Sequence, residues 1–203
     1  DDRAFQVMFF RMQKIVAYCV LPMGVGIYLY SDVVTQILLG SQWQEANKII
    51  GVWALTLAIM IIFAYYSSEV YRAKGKPRLS FLAQILYLVF LVPTIIISVK
   101  YGFWVLVYAR ALIQLQFILV HLIIMKYAIK FPVKKMFTNV AKPVLFTLLM
   151  CVVALGLQWI SPGFFWSLVS IVICVVVYSG LMWFFAREDV QMITNVLLKR
   201  NAG

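Results

Sequence analysis

Six long apolar runs, separated by short connectors in which the cations collect, constrain this chain more than anything else in its sequence. The runs cover about Ile15 to Tyr30, Ile49 to Ser68, Leu79 to Val99, Trp104 to Tyr127, Val144 to Ile160 and Phe164 to Ala186. Each is close to the ~20 residues a helix needs to cross a bilayer core, where no water satisfies an unpaired backbone. Apolar residues make up 65% of the 203 and charged residues 12%, against roughly 45–50% and 25% in soluble domains. A soluble globule, a disordered chain, a collagen and a disulfide-stapled secreted domain are all excluded. The fold class that follows is all-α, a polytopic transmembrane helical bundle of six spans.

Between the first two runs, Asp32 to Trp43 is too short to cross. Val33, Val34, Ile37, Leu38 and Leu39 are apolar there and Gly40 is a stop signal, which predicts a short interfacial helix. Pro22, Gly24 and Gly26 inside the first run predict a bend. The direction of threading follows from the 18 Lys and Arg. With six alternating crossings, Arg3, Arg11, Lys14, Arg72, Lys74, Lys76, Arg78, Lys126, Lys130, Lys134, Lys135, Lys142, Arg187, Lys199 and Arg200 share one side. Lys48 and Lys100 take the other, and Arg110 lies within a span. By the positive-inside rule both termini are cytoplasmic. The exported turns Lys100-Tyr101-Gly102 and Ser161-Pro162-Gly163 are tight, so function is expected in the membrane or at its surfaces. The chain divides into residues 1–130, with four spans, and 131–203, a cytoplasmic basic loop followed by two peripheral spans and a tail.

The net charge of +11 would point to nucleic acid in a soluble protein. Here the cations sit between apolar runs without any nucleic-acid-binding motif, so topology and anionic headgroups account for them. Membrane lipids are the expected partners, not nucleic acid. Cys19, Cys151 and Cys174 stand singly in apolar runs and read as packing residues. No HExxH, Walker A or Gly-rich dinucleotide loop occurs, and no paired intramembrane carboxylates. Asp32, Glu45 and Glu69 are scattered. No catalytic residue, metal or cofactor is expected, and the chain does not read as an enzyme.

The polar residues within spans are the candidate site. Arg110 lies about seven residues into the fourth span, roughly 10 Å deep at 1.5 Å per residue. At 100° per residue, Gln114 lies about 40° from it and His121 about 20°, so the three share a face. A charge at that depth costs several kcal/mol unless it meets a wet cavity or a partner. Arg110 either lines such a cavity, or snorkels to the interface or pairs with a polar group in the bundle, and His121 is either functional or a hydrogen-bonded packing residue. In the third span Ser80, Gln84, Tyr87, Thr94 and Ser98 fall near one line with Leu91. That stripe faces either water or a neighbouring helix. Glu69 and Arg72, at i and i+3 near the cytoplasmic boundary, form either part of a site or a solvated ion pair.

Three stretches resemble one family. Ile37-Leu38-Leu39-Gly40-Ser41-Gln42-Trp43-Gln44-Glu45-Ala46 is similar to the "LLLG…W…A" element of polysaccharide flippases. Tyr71-Arg72-Ala73-Lys74-Gly75-Lys76-Pro77-Arg78 resembles their "A-x-G-[KR]-[PT]" cytoplasmic connector, and Tyr101-Gly102-Phe103-Trp104…Tyr108-Ala109-Arg110 their "YG…A-A-R" stretch. Order and spacing agree over about 100 residues. The family is the Wzx-type oligosaccharide flippases of the multidrug/oligosaccharidyl-lipid/polysaccharide exporter superfamily. The resemblance implies the last six of fourteen helices, with the N-terminal lobe of the same protein as a partner. It implies alternating-access movement of undecaprenyl-diphosphate-linked oligosaccharide across the bacterial inner membrane. Arg110 would then attract an anionic diphosphate or acidic sugar, with Gln84 and Gln114 meeting hydroxyls and Tyr87, His121 and Glu69 lining the cavity. Competing readings are a drug or cation antiporter of that superfamily, which generally needs an acid at depth; a glycan ligase or polymerase, which wants a large exported loop; and a six-span assembly subunit.

Overall fold

The computed structural model describes residues 2–161 and 163–191; Pro162, Lys199 and Arg200, which entered the expectations above, lie outside the described residues. Within them there are helices and no strand, and six helices are long and apolar enough to cross a membrane. Helix α1 is Asp2–Leu29 and α2 is Ser31–Leu38. A 3-10 turn at Ser41–Ala46 leads into α3, Asn47–Met60, which passes through a π turn at Ile61–Tyr65 into α4, Tyr66–Ala73. Helices α5 (Arg78–Val99), α6 (Phe103–Tyr127), α7 (Val133–Ile160) and α8 (Phe164–Phe185) complete the bundle.

The predicted interfacial helix is present but shorter. It ends at Leu38 because Gly40 takes φ +91, a conformation that favours glycine, and turns the chain into the 3-10 segment. Two helices exceed their predicted spans. At 28 residues each, α1 and α7 are about 42 Å long, against a hydrocarbon core of about 30 Å. The basic loop expected from residue 131 is therefore corrected: Val133 to Lys142 are the opening turns of α7. Pro22, Pro93 and Pro143 lie inside α1, α5 and α7 without ending them, as membrane helices tolerate.

Helix α1 is central, packed against α3 and α7; the α5–α6 hairpin joins through α6 and α3, and α8 lies against α7. Asn139 Nδ2 donates to the Phe10 carbonyl at 2.7 Å and Gln158 Nε2 to the Leu29 carbonyl at 2.8 Å, so α7 is bonded to α1 at both ends. Contacts also group the connectors as alternating crossings require. Lys74 pairs with Asp2, Lys76 Nζ donates to the Ala128 carbonyl at 3.2 Å, and Lys14 pairs with Asp189 at 2.6 Å. At the opposite end, Lys48 Nζ lies 5.8 Å from the centroid of a Trp104 ring. The cation-rich end is closed by an apolar cluster that includes Phe9, Phe10, Val70, Tyr71, Met125, Phe131 and Met136. Outward faces carry Phe81, Val89, Ile96, Leu112, Val152 and Trp183 exposed, a distribution that lipid tails favour and water does not.

Candidate functional site

The α5–α6 hairpin brings three of the expected residues into one chain of contacts. Arg110, half-buried, donates from Nη1 to the hydroxyl of Tyr87, and its guanidinium carbon lies 5.8 Å from the Tyr87 ring centroid. Tyr87 packs on Phe117 with centroids 4.9 Å apart, and Phe117 meets His121 edge-on at 4.5 Å. His121 is stacked on Tyr71 of α4, with centroids 5.7 Å apart and planes 11° from parallel. The Tyr71 hydroxyl lies 3.1 Å from His121 Nδ1 and donates to the His121 carbonyl at 3.1 Å. A file of rings thus runs from Arg110 to the cation-rich end. Residues 110, 117 and 121 stand at helical spacings that place them on one face of α6.

The chemistry of this file is polar at its ends and apolar between them. Burial of a guanidinium is tolerable because Tyr87 supplies both an acceptor oxygen and a ring face. Gln114, one turn from Arg110, has Oε1 buried with no hydrogen-bond partner among the described residues, as do Gln116 Oε1 and Ser80 Oγ. Such orphaned atoms mark places where a partner is accommodated, because an unmatched buried acceptor costs about 1–3 kcal/mol.

His121 is 1% exposed, with Nδ1 on the Tyr71 hydroxyl and its ring against Tyr71 and Phe117, which makes it part of the packing of α4 on α6. Tyr71→Phe would leave His121 Nδ1 buried without its partner. The expected loss is about 1–3 kcal/mol, read as a lower Tm of the purified protein in detergent; an unchanged Tm would show that the hydroxyl contributes nothing.

The other two expected residues are not joined to Arg110. Gln84 stands exposed on α5 and makes no hydrogen bond among the described residues. Glu69 is exposed, 3.4 Å from Arg72 Nη1, as the solvated-pair reading has it. Of the α5 stripe, Tyr87, Leu91 and Thr94 are half-buried and Ser98 is buried.

Sequence reasoning missed a buried acid. Asp189, 5% exposed, binds Lys14 Nζ through Oδ1 at 2.6 Å and accepts from the Tyr18 hydroxyl through Oδ2 at 2.8 Å. Tyr178 in turn donates to the Tyr18 carbonyl at 2.8 Å. This network fastens residues 187–191, which are helical, to α1. It adds a buried acid to the scattered Asp32, Glu45 and Glu69. A pocket of about 510 Å³ lies beside it between α1, α2, α7 and α8, lined by residues such as Pro22, Ile27, Val34, Met150, Ile171 and Val175. None of the expected site residues lines it.

Fold and site define a multi-pass helical membrane protein with a half-buried cation held inside one hairpin. Residues 1–48 match the model of a family described as polysaccharide biosynthesis protein, over α1, α2 and the start of α3. No curated protein and no solved structure matches the chain. The family match and the six apolar helices together support a multi-pass membrane protein in polysaccharide biosynthesis.

Proposed function

We propose that the chain is part of a flippase that moves a lipid-linked oligosaccharide of the undecaprenyl diphosphate type across the bacterial inner membrane by alternating access. The observation that carries this reading is Arg110, fixed by Tyr87 in a largely apolar hairpin one turn from an amide oxygen without a partner among the described residues. A permanently charged planar fork suits a phosphate or carboxylate, and the similarity of residues 1–48 to polysaccharide biosynthesis proteins supplies the glycan. Gln114 meets hydroxyls, Tyr87 and His121 set the wall behind Arg110, and a further lobe of the same protein supplies the opposite wall. The chain makes or breaks no covalent bond in this role and needs no cofactor.

In the intact protein, Arg110→Ala is expected to lower export of surface polysaccharide by about tenfold or more at unchanged protein level. That corresponds to the ~1.5–3 kcal/mol of a hydrogen bond to a charged group. Arg110→Lys should recover part of it, since charge is kept and the fork is lost. Undiminished export in the alanine variant would remove Arg110 from the site.

A further inference from the structure

We propose that the π turn at Ile61–Tyr65 is a hinge between α3 and α4, held in its longer register by an amide relay from α1 and α7. A π turn accommodates one residue more than an α turn and shifts the backbone ladder from i→i+4 to i→i+5. It occurs here in mid-span, between two regular helices. Gln13, wholly buried, donates from Nε2 to the Ile62 carbonyl at 3.4 Å. Asn139 on α7 donates from Nδ2 to Gln13 Oε1 at 3.2 Å and to the Phe10 carbonyl at 2.7 Å. The relay therefore fixes which way the Gln13 amide points and keeps its donor on the π turn. Phe63, inside the turn, is stacked on Phe137 of α7 with centroids 4.9 Å apart.

What the turn positions gives the hinge its role. Returning the segment to α register would rotate α4 by about 100° and move it about 1.5 Å along its axis. Tyr71 could not then stay stacked on His121 with its hydroxyl on both Nδ1 and the carbonyl oxygen. The ring file from His121 through Phe117 and Tyr87 to Arg110 would lose its cytoplasmic anchor. Gln13 holds the π turn at the Ile62 carbonyl and Tyr71 holds α4 against His121, so one register keeps both sets of contacts and the other breaks them, a discrete pair of states rather than a continuum. That this pair serves transport rests on the export reading; that it exists does not.

The test uses the intact protein with Cys19, Cys151 and Cys174 replaced by Ala and spin labels on cysteines at Ala73 and Lys134, both exposed at the cytoplasmic end. Gln13→Met, which keeps the volume and loses the donor, is expected to add a second distance population displaced by several ångström. Asn139→Leu should do so more weakly. Deleting Ala64 removes the extra residue of the π turn while leaving both flanking helices in register, and should leave one population in every background. Coincident distance distributions in the native sequence, Gln13→Met and the Ala64 deletion, each monodisperse in detergent, would overturn the hinge. A displaced population in Gln13→Met together with undiminished polysaccharide export in the Ala64 deletion would keep the hinge and sever it from transport.

Discussion

Asp189→Ala is expected to destabilise the folded protein toward the lower end of the ~3–5 kcal/mol that follows from stranding one member of a buried ion pair. The lower end applies because Lys14 keeps 21% of its side-chain exposure while Asp189 keeps 8%. The ammonium left behind meets no other carboxylate among the described residues, and the Tyr18 hydroxyl loses its acceptor as well. Asp189→Asn should lose less, since an amide oxygen still accepts from Tyr18. The joint replacement Lys14→Met with Asp189→Leu is expected to regain most of the stability, because exchanging a buried pair for apolar groups is often neutral. Thermal unfolding in detergent of these proteins and of the single variants Lys14→Met and Asp189→Leu decides the matter. Losses that simply add in the double variant would mean that the two groups do not act as a pair.

That network shows where the sequence stops being legible. The six crossings and the sidedness of their connectors can be read directly, because apolar length and cation placement are local properties that lipid enforces. Asp189 cannot be read in the same way. It follows Arg187 and Glu188 in a stretch that looks solvated, and its partner lies 175 residues away. The opening of α7 did leave a signal. Val133, Met136, Phe137 and Val140 recur at i, i+3, i+4 and i+7, a helical stripe whose periodicity Lys134, Lys135, Lys142 and the following Pro143 obscure. Of the candidate site, the shared face of Arg110 and His121 is visible from spacing alone. That Tyr87 meets Arg110, and that Phe117 and Tyr71 bridge onward, depends on how two hairpin helices and α4 dock. Gln84 lies on the same α5 stripe as Tyr87 yet is exposed, since a stripe of that width does not turn all its members toward one neighbour. The π turn has no composition of its own: Ile61-Ile62-Phe63-Ala64-Tyr65 reads as ordinary apolar helix.

Gly24→Val is expected to give the largest loss of folded protein among single substitutions in α1. Helices that meet inside lipid gain nothing from hiding apolar surface and depend on close van der Waals packing, which small residues permit. At Gly24 the approach is extreme: an added Cβ would stand 2.5 Å from the Ala58 Cβ and 3.2 Å from the Ala54 carbonyl oxygen. Neither neighbour is a flexible chain end, so α1 and α3 must separate to admit even one carbon. Overpacking of a tight interior costs about 1–3 kcal/mol; Gly24→Ala should fall in that range and the branched valine beyond it. Gly26 is the control, since a Cβ there meets nothing within 4 Å. Gly26→Ala should be neutral or stabilising by up to about 1 kcal/mol, the helix-propensity difference between the two residues. If contact with Ala58 is the cause, Ala58→Gly should restore part of the Tm lost in Gly24→Ala while lowering that of the native sequence. Equal losses at Gly24 and Gly26, or no recovery in the paired variant, would mean that backbone flexibility rather than the α1–α3 approach explains the glycine. The distinction matters because α1 also carries Gln13, Lys14 and Tyr18, so a displaced α1 would disturb the π-turn relay and the Asp189 network together.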